Sequence, residues 1–414
     1  MKLRLWVKKV KDYGINVSAF GIYILMQQLV IMPILARLTN DTSFSNIILF
    51  ISIFNIVCIF LGDELGNTRI VRANIYQSKK IHGDFHAILS LIIILLVLIC
   101  TLANYFVNFN WLNMYLYLAI IILGIIRYFS MSFFRLKLKF HNILYMNILY
   151  GIGAVLGLIF ATNGYYLAPF LLGEIISNLF VFFLVLKEKD HRPTLALTPE
   201  FNNTIGTFAN LSIISIVVNT LAYLDRILIF PVLGASAMAI YFSASAMSKM
   251  VSLIINPISG VILAKLTRVR NEKRVEVIKV VTKYLLPSIL LFSVGSIIVS
   301  YFGVKIFYNK YFYDALPLIV PIGLATAFSL ASFLLKPFLI SFFKTKELMF
   351  IHLFYAVVFC ISMYFFSFWW GIIGFAWSTS FARLTQLLFY FLIIIKGKMV
   401  EGEEYVSNGN DTNK

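Results

Sequence analysis

Twelve apolar stretches, each about twenty residues or more, follow one another along this 414-residue chain with only short polar breaks between them. A bilayer-spanning helix needs ~20 consecutive apolar residues. The stretches are 14–36, 44–63, 86–107, 111–133, 142–162, 165–186, 205–230, 238–263, 281–303, 315–340, 347–368 and 371–395. In hydrocarbon every backbone N–H and C=O must be satisfied within its own segment, so segments of this length must be helices. The predicted fold is therefore all-α and polytopic, with 12 transmembrane helices. Composition agrees, at 60% hydrophobic and 13% charged, where soluble domains carry ~25% charged residues. The basic start MKLRLWVKKVKDYG runs into an apolar stretch too long for a signal h-region, so we expect it to be retained.

The formal charge of +17 would suggest nucleic acid in a soluble protein. Here the basic residues fall in alternate loops, where they set topology. They crowd at Lys2–Lys11, at Arg69, Arg72, Lys79 and Lys80, and at Arg127, Arg135, Lys137 and Lys139. They crowd again at Lys187–Arg192, at Lys265–Lys283, at Lys336, Lys344 and Lys346, and in the tail. The odd-numbered loops and their flanks hold only Arg37, Arg226, Lys305 and Lys310. This alternation predicts both termini on the cytoplasmic side and no nucleic-acid partner. Cys58, Cys100 and Cys360 lie within apolar stretches, and the five His residues show no ligand spacing, so neither a metal nor a cofactor is expected.

The polar break KEKDHRPTLALTPE at 187–200 divides the stretches six and six. We expect a six-helix lobe at 1–186, a cytoplasmic linker at 187–204, a second lobe at 205–396 and a disordered tail at 397–414. A weak echo supports two parallel halves. LARLTNDTSFSNIILF (35–50) can be laid on LIFPVLGASAMAIYF (228–242) with Leu38 opposite Leu233.

Ionised groups deep in the stretches are the candidate functional residues, because each costs roughly 2.5–3.5 kcal/mol to insert. Lys249 and Arg383 lie near the middle of the eighth and twelfth stretches, and Arg383 has Ser378, Thr379, Ser380 and Gln386 nearby. Arg37 reads equally as a cavity residue or an interface anchor. Asp225 and Arg226 are adjacent and project about 100° apart on a helix, so they need not pair with each other. They read as a structural or gating pair, or Asp225 reads as a titrating group. Glu174 is near mid-depth in the sixth stretch, either as a coupling carboxylate or as the partner of Lys249 or Arg383. Asp63 and Glu64 close the second stretch beside Arg69, Arg72 and Arg127, an arrangement suited to an inner gate. Of the prolines in the stretches, Pro33 is the best hinge candidate.

Several pieces in order resemble a known family. They are Pro33-x-Leu35-Ala36-Arg37, the segment LGDELGNTRIVR, the basic FFRLKLKFHNILYMNILYGIGAVLGLIFA, and LDRILIFPVLGASAMAIYFSASAMSK with Asp225–Arg226, Leu233–Gly234 and Tyr241. Over nearly its whole length the chain resembles the polysaccharide transporter family, and within it the Wzx-type repeat-unit flippases of the multidrug/oligosaccharidyl-lipid/polysaccharide exporter superfamily. The resemblance implies two six-helix lobes around a central cavity working by alternating access in the bacterial inner membrane. It implies transport of undecaprenyl-pyrophosphate-linked O-antigen or capsule units to the periplasmic leaflet, coupled to protons or cations, without enzymatic chemistry. Polymerase and chain-length proteins would be pathway partners. On that reading Lys249, Arg383, Arg37 and Arg226 would meet the pyrophosphate or glycan, while Glu174, Asp225, Asp63 and Glu64 would serve coupling or gating. The alternatives are a multidrug or cation antiporter of the same superfamily, and a membrane-embedded polymerase or acyltransferase. The short outer loops and the absence of a GxxxxGK[ST] segment argue against an enzyme or an ATP-driven pump.

Overall fold

The structure is a computed structural model that describes residues 21–81, 83–107, 111–187, 197–252, 262, 274–342 and 345–396. The expected tail, half of the expected linker and the basic residues at 263–273 lie outside the described residues. The described regular structure is helical, without a strand. The helices are α1 (Gly21–Leu38), α2 (Asp41–Lys79), α3 (Asp84–Val107), α4 (Trp111–Leu136), α5 (Phe140–Ala161) and α6 (Ala168–Lys187). They continue with α7 (Phe201–Lys249), α8 (Arg274–Phe307), α9 (Phe312–Phe342) and α10 (Thr345–Lys396).

Among the described residues nine helices are long and apolar enough to cross a membrane, where the sequence predicts twelve spans. The difference has two sources. α7 and α10 each join two helices across one glycine, Gly234 (φ 84°) and Gly371 (φ 54°), and each carries two of the expected stretches. A residue with a Cβ is strained at such φ, so glycine is the natural residue for the kink between the two helices. The apolar part of α6, Ala168–Leu184, falls below the length of a full span.

The first aligned segment breaks its helix at Thr39, which is extended (φ −113°, ψ 161°), and Asn40 then caps α2 by accepting from the Ser43 N–H at 2.8 Å. The second breaks at Gly234, the residue opposite Thr39 when Leu38 is laid on Leu233. Both segments thus turn at the same aligned position. The hinge expected at Pro33 falls on an irregular part of α1. Pro33 has no N–H to offer the carbonyl one turn back, and the turn before it, Met26–Ile31, is wound as π-helix. A second π-segment, Cys58–Asp63, interrupts α2.

By its internal contacts the chain forms two compact units, Met1–Phe230 and Pro231–Lys414. In the first, α5 and α6 pack so closely that a Cβ on Gly157 would lie 2.4 Å from Pro169 Cα, and α4 packs against the π-segment of α2. In the second, α8, α9 and α10 pack in sequence. There Ser248 donates to or accepts from Thr326 at 2.6 Å, and Ser296 donates to the Gly323 carbonyl at 2.9 Å.

Candidate functional site

Among the described residues, one ion pair is fully enclosed in the first unit. Arg127 of α4 donates from Nε and Nη2 to the two carboxylate oxygens of Glu174 on α6, at 2.8 and 3.0 Å. Its remaining terminal nitrogen donates to Asn147 Oδ1 of α5 at 3.3 Å. The Arg127 and Glu174 side chains are 1% and 0% exposed. The guanidinium carbon lies 4.7, 4.8 and 4.9 Å from the ring centres of Tyr23, Tyr128 and Tyr150. A fork of parallel N–H donors matched to a carboxylate, with aromatic faces around it, is the arrangement in which arginine is best tolerated away from water. Asn178 Nδ2 donates to the Leu123 carbonyl at 3.0 Å and so ties α6 to α4 beside the pair. Within this unit the partner of Glu174 is Arg127. Arg127, expected in the basic fourth loop, sits inside α4, about 14 Å from its end at 1.5 Å per residue.

At one end of this unit the charges form a second network. Glu200, just before α7, accepts from Arg72 Nη2 at 2.5 Å, from Lys79 Nζ and from Asn203 Nδ2 at 3.2 Å. Asp84 accepts from the Tyr76 hydroxyl at 2.5 Å, from the Thr198 N–H at 2.7 Å and from the Thr198 hydroxyl. Together these contacts fasten the segment leading into α7 to the ends of α2 and α3. Asp63 pairs with Arg135 of α4 at 3.0 Å, and Glu64 accepts from Asn67 at 3.0 Å. Asp63 and Glu64 were expected at this end, but their partners are not the expected ones. Arg72 goes to Glu200, and Arg69 lies over the Phe133 ring at 3.6 Å.

The hydrogen bonds from Lys79 and Asn203 hold the Glu200 carboxyl below the usual glutamate range, and the charges of Lys79 and Arg72 act in the same direction. A carboxyl depressed in the folded state contributes stability above its unfolded value and loses it as pH falls through the folded value. The stability difference between the wild type and Glu200→Gln should thus be constant from about pH 5 to 8 and shrink only below about pH 4. Thermal unfolding of the two proteins across pH measures this. A difference that changes between pH 6 and 8 would contradict it.

In the second unit, α9 and α10 place Lys336, Arg383, His352 and Gln386 around a cavity of about 40 Å³, together with Ser329, Ser332 and Tyr390. About 10–15 Å³ suffices for one water, so this void admits a small group and not a sugar. Arg383 donates to Gln386 Oε1 at 2.9 Å and its guanidinium lies 4.2 Å from the Tyr355 ring centre. The Gln386 amide nitrogen meets His352 Nδ1 at 3.2 Å. No carboxylate forms a salt bridge with Lys336 or Arg383 among the described residues. Two cations, an amide and three hydroxyls thus surround one small void, a set of groups whose charge and donors suit a compact anion. Arg383 was expected at such a site. Lys336 was expected in the tenth loop, yet it lies within α9.

The remaining candidates are more dispersed. Lys249 occupies the last residue of the helix after Gly234. There the chain turns, with the Met250 N–H donating to the Met247 carbonyl at 3.2 Å and the Ser252 hydroxyl to the Lys249 carbonyl at 2.6 Å. A cation at a helix C-terminus is favoured by the helix dipole, whatever else it does. Arg37 is exposed in the last turn of α1. Asp225 and Arg226 are buried in α7, where the Asp225 carboxylate accepts from the Arg226 backbone N–H at 3.0 Å and the guanidinium lies 5.5 Å from the Tyr223 ring centre.

Comparison with solved structures gives the same architecture. The chain is similar to a lipid II flippase, MurJ, in its inward closed conformation, with a TM-score of 0.68 and 14% identity over 95% of this chain and 87% of that one. It is also similar to a multidrug resistance MATE family transporter of the MOP superfamily. The outward-facing form gives a TM-score of 0.62 and 14% identity over 93% and 95% of the two chains. The inward-facing form gives 0.58 and 10% over 93% of each. At these identities the likeness carries the fold. No curated protein sequence matches. A family model described as polysaccharide biosynthesis protein matches residues 34–317, more than half of the chain, and the chain accordingly belongs to that family of membrane proteins.

Proposed function

We propose that the protein is a flippase for oligosaccharide repeat units linked by pyrophosphate to undecaprenol, moving them from the cytoplasmic to the outer leaflet by alternating access. Such cargo carries a compact dianion at the join between sugar and lipid. The observation that carries the reading is the cavity of Lys336 and Arg383, two cations without a carboxylate among helices of membrane-spanning length. Insertion disfavours each of these charges, and an anionic cargo gives both a reason to be there. Family membership supports the same reading. Lys249 and Arg226 are further cations for the phosphates or sugar, with Arg37 at the outer rim. A cation or proton gradient drives exchange. Glu174 is held by Arg127, and Asp225, buried in α7, is the second carboxylate for coupling or gating. Asp63, with Arg135, and Glu64 belong to the cytoplasmic gate, and Pro33 with its π-turn to the hinge. The termini face the cytoplasm of a bacterial inner membrane.

A multidrug or cation antiporter is the second reading. It calls for an available acid in the first lobe, and Glu174 is the natural candidate. Its bidentate pairing with Arg127 weighs against that role.

Purified protein in proteoliposomes tests the reading. A lipid-linked oligosaccharide bearing an oxidisable sugar should become accessible to an impermeant oxidant only with protein present, and faster under an imposed pH gradient. Lys249→Ala should slow this about tenfold, the loss of one charge-assisted contact of ~1.5 kcal/mol. Equal access with and without protein would overturn the flippase reading. Wild-type rates for Lys249→Ala would remove that residue from the anion path.

A further inference from the structure

The first unit contains a much larger cavity that none of the charged candidates enters. It measures about 680 Å³ and lies where the start of α2, the start of α4 and the turn between α5 and α6 come together. Its polar lining is Ser43, Asn46, Asn113, Tyr117, Tyr165 and Tyr166. The other lining residues are aliphatic, Phe or Gly, so no charged side chain lines it. It opens at the end of the unit opposite Arg72, Lys79 and Arg135, since Asn46 and Asn113 are near the first residues of α2 and α4 while those cations are near the last.

The chemistry of this lining is selective. The side-chain amides of Asn46 and Asn113 and the hydroxyls of Tyr165 and Tyr166 make no hydrogen bond to another described residue. Their donors and acceptors therefore face the cavity or water. Tyr165 is 69% exposed and offers a broad ring face, while Tyr117 is anchored against Phe50 at 4.6 Å between ring centres. A lipid tail would cover these amides without satisfying them, and burying an unsatisfied polar group is unfavourable. A phosphate would find no cation. A neutral saccharide suits both halves of the lining, because its hydroxyls pair with amides and phenols and its C–H face lies flat on a tyrosine ring. The volume is in the range of small-molecule sites, ~300–1,000 Å³.

We infer that this cavity is a binding site for the neutral oligosaccharide part of the cargo, separate from the Lys336–Arg383 anion site. It would hold the sugar at the face where the cargo is delivered. The identity of the ligand rests on the flippase reading, and the site itself on the lining.

Ser43→Cys, in a protein with Cys58, Cys100 and Cys360 replaced by Ala, places one thiol on the cavity wall and leaves the cap intact, because Ser43 contributes only its backbone N–H to Asn40. The probe is the oligosaccharide released by mild acid from the lipid-linked units of the host strain. At ten times its Kd it should slow labelling of this thiol by an impermeant maleimide about tenfold. Undecaprenyl pyrophosphate should leave the rate unchanged. Asn46→Leu with Asn113→Leu, and separately the surface change Tyr165→Ala, should abolish protection while both proteins still purify as folded monodisperse species. Protection by undecaprenyl pyrophosphate instead of the sugar overturns the proposal in favour of a lipid groove. Absence of protection by the sugar, in a preparation that transports the intact unit, overturns the cavity and leaves the flippase reading standing. Protection in a preparation that does not transport the unit keeps the cavity and overturns the flippase reading.

Discussion

Arg127→Met should destabilise the protein by about 3–5 kcal/mol, because it leaves the Glu174 carboxylate buried with no counter-charge. Glu174→Met should do the same in reverse, since the guanidinium would keep Asn147 and three tyrosine faces but lose both carboxylate bonds. The double variant Arg127→Met/Glu174→Met should recover most of the loss. Replacing a whole buried pair by apolar side chains of similar volume is often neutral or stabilising, whereas removing one partner is not. Chemical or thermal unfolding in detergent of the four proteins gives the coupling energy as a double-mutant cycle. Additive single effects would mean that the two residues do not act as a unit. The same four proteins separate a structural role from coupling. If Arg127–Glu174 only holds α4 to α6, the double variant transports at nearly the wild-type rate. A folded double variant that still flips cargo but has lost its response to a pH gradient would make Glu174 a coupling carboxylate after all.

The helices themselves could be read from the sequence, because their cause is local. Long apolar runs must become helices in a bilayer. The helix break at Gly234 falls between the seventh and eighth expected stretches, and the one at Gly371 falls on the first residue of the twelfth. Pro33 was visible as a point of helix irregularity because a missing N–H is a property of one residue, although the π-turn before it was not foreseen. Arg383 and Glu174 were visible as ionised groups deep in apolar stretches. Their surroundings were not visible. Glu174 and Arg127 are far apart in sequence, on helices whose rotation no periodicity reveals when nearly every position is apolar. Arg127 and Lys336 were also misplaced for one shared reason. Counting basic residues near a span's end as loop residues is sound for topology, but both lie within the stretches 111–133 and 315–340 and on helices that run past those limits, to Leu136 and Phe342. A cation inside the bounds of a span deserves the same weight as Lys249, even when a basic loop follows. Glu200 and Asp84 were missed for a different reason, since carboxylates beside a polar linker look solvated until the fold brings Arg72, Lys79 and Thr198 to them.

Arg383→Ala and Lys336→Ala should each lower export of the polymer by about 10–100-fold, the loss of a charge-assisted contact worth ~1.5–3 kcal/mol. Both proteins should still insert at normal levels. Their stability should move the other way. Lys336 and Arg383 share one small cavity with His352 and have no carboxylate salt bridge among the described residues, so in the empty protein the two like charges oppose each other. Neutralising either should raise the unfolding free energy by about 1 kcal/mol, the gain expected where a site keeps a destabilising arrangement for its ligand. Arg383→Lys tests the geometry separately. It keeps the charge but loses the planar fork and its stacking on Tyr355, and should recover only part of the export. Inorganic pyrophosphate should stabilise the wild type against heat and leave Lys336→Ala/Arg383→Ala unaffected. If the single alanine variants unfold more easily and export normally, the two cations are structural and the anion site is wrong. Lower export combined with higher stability cannot come from damaged packing, and it would place the anion between α9 and α10.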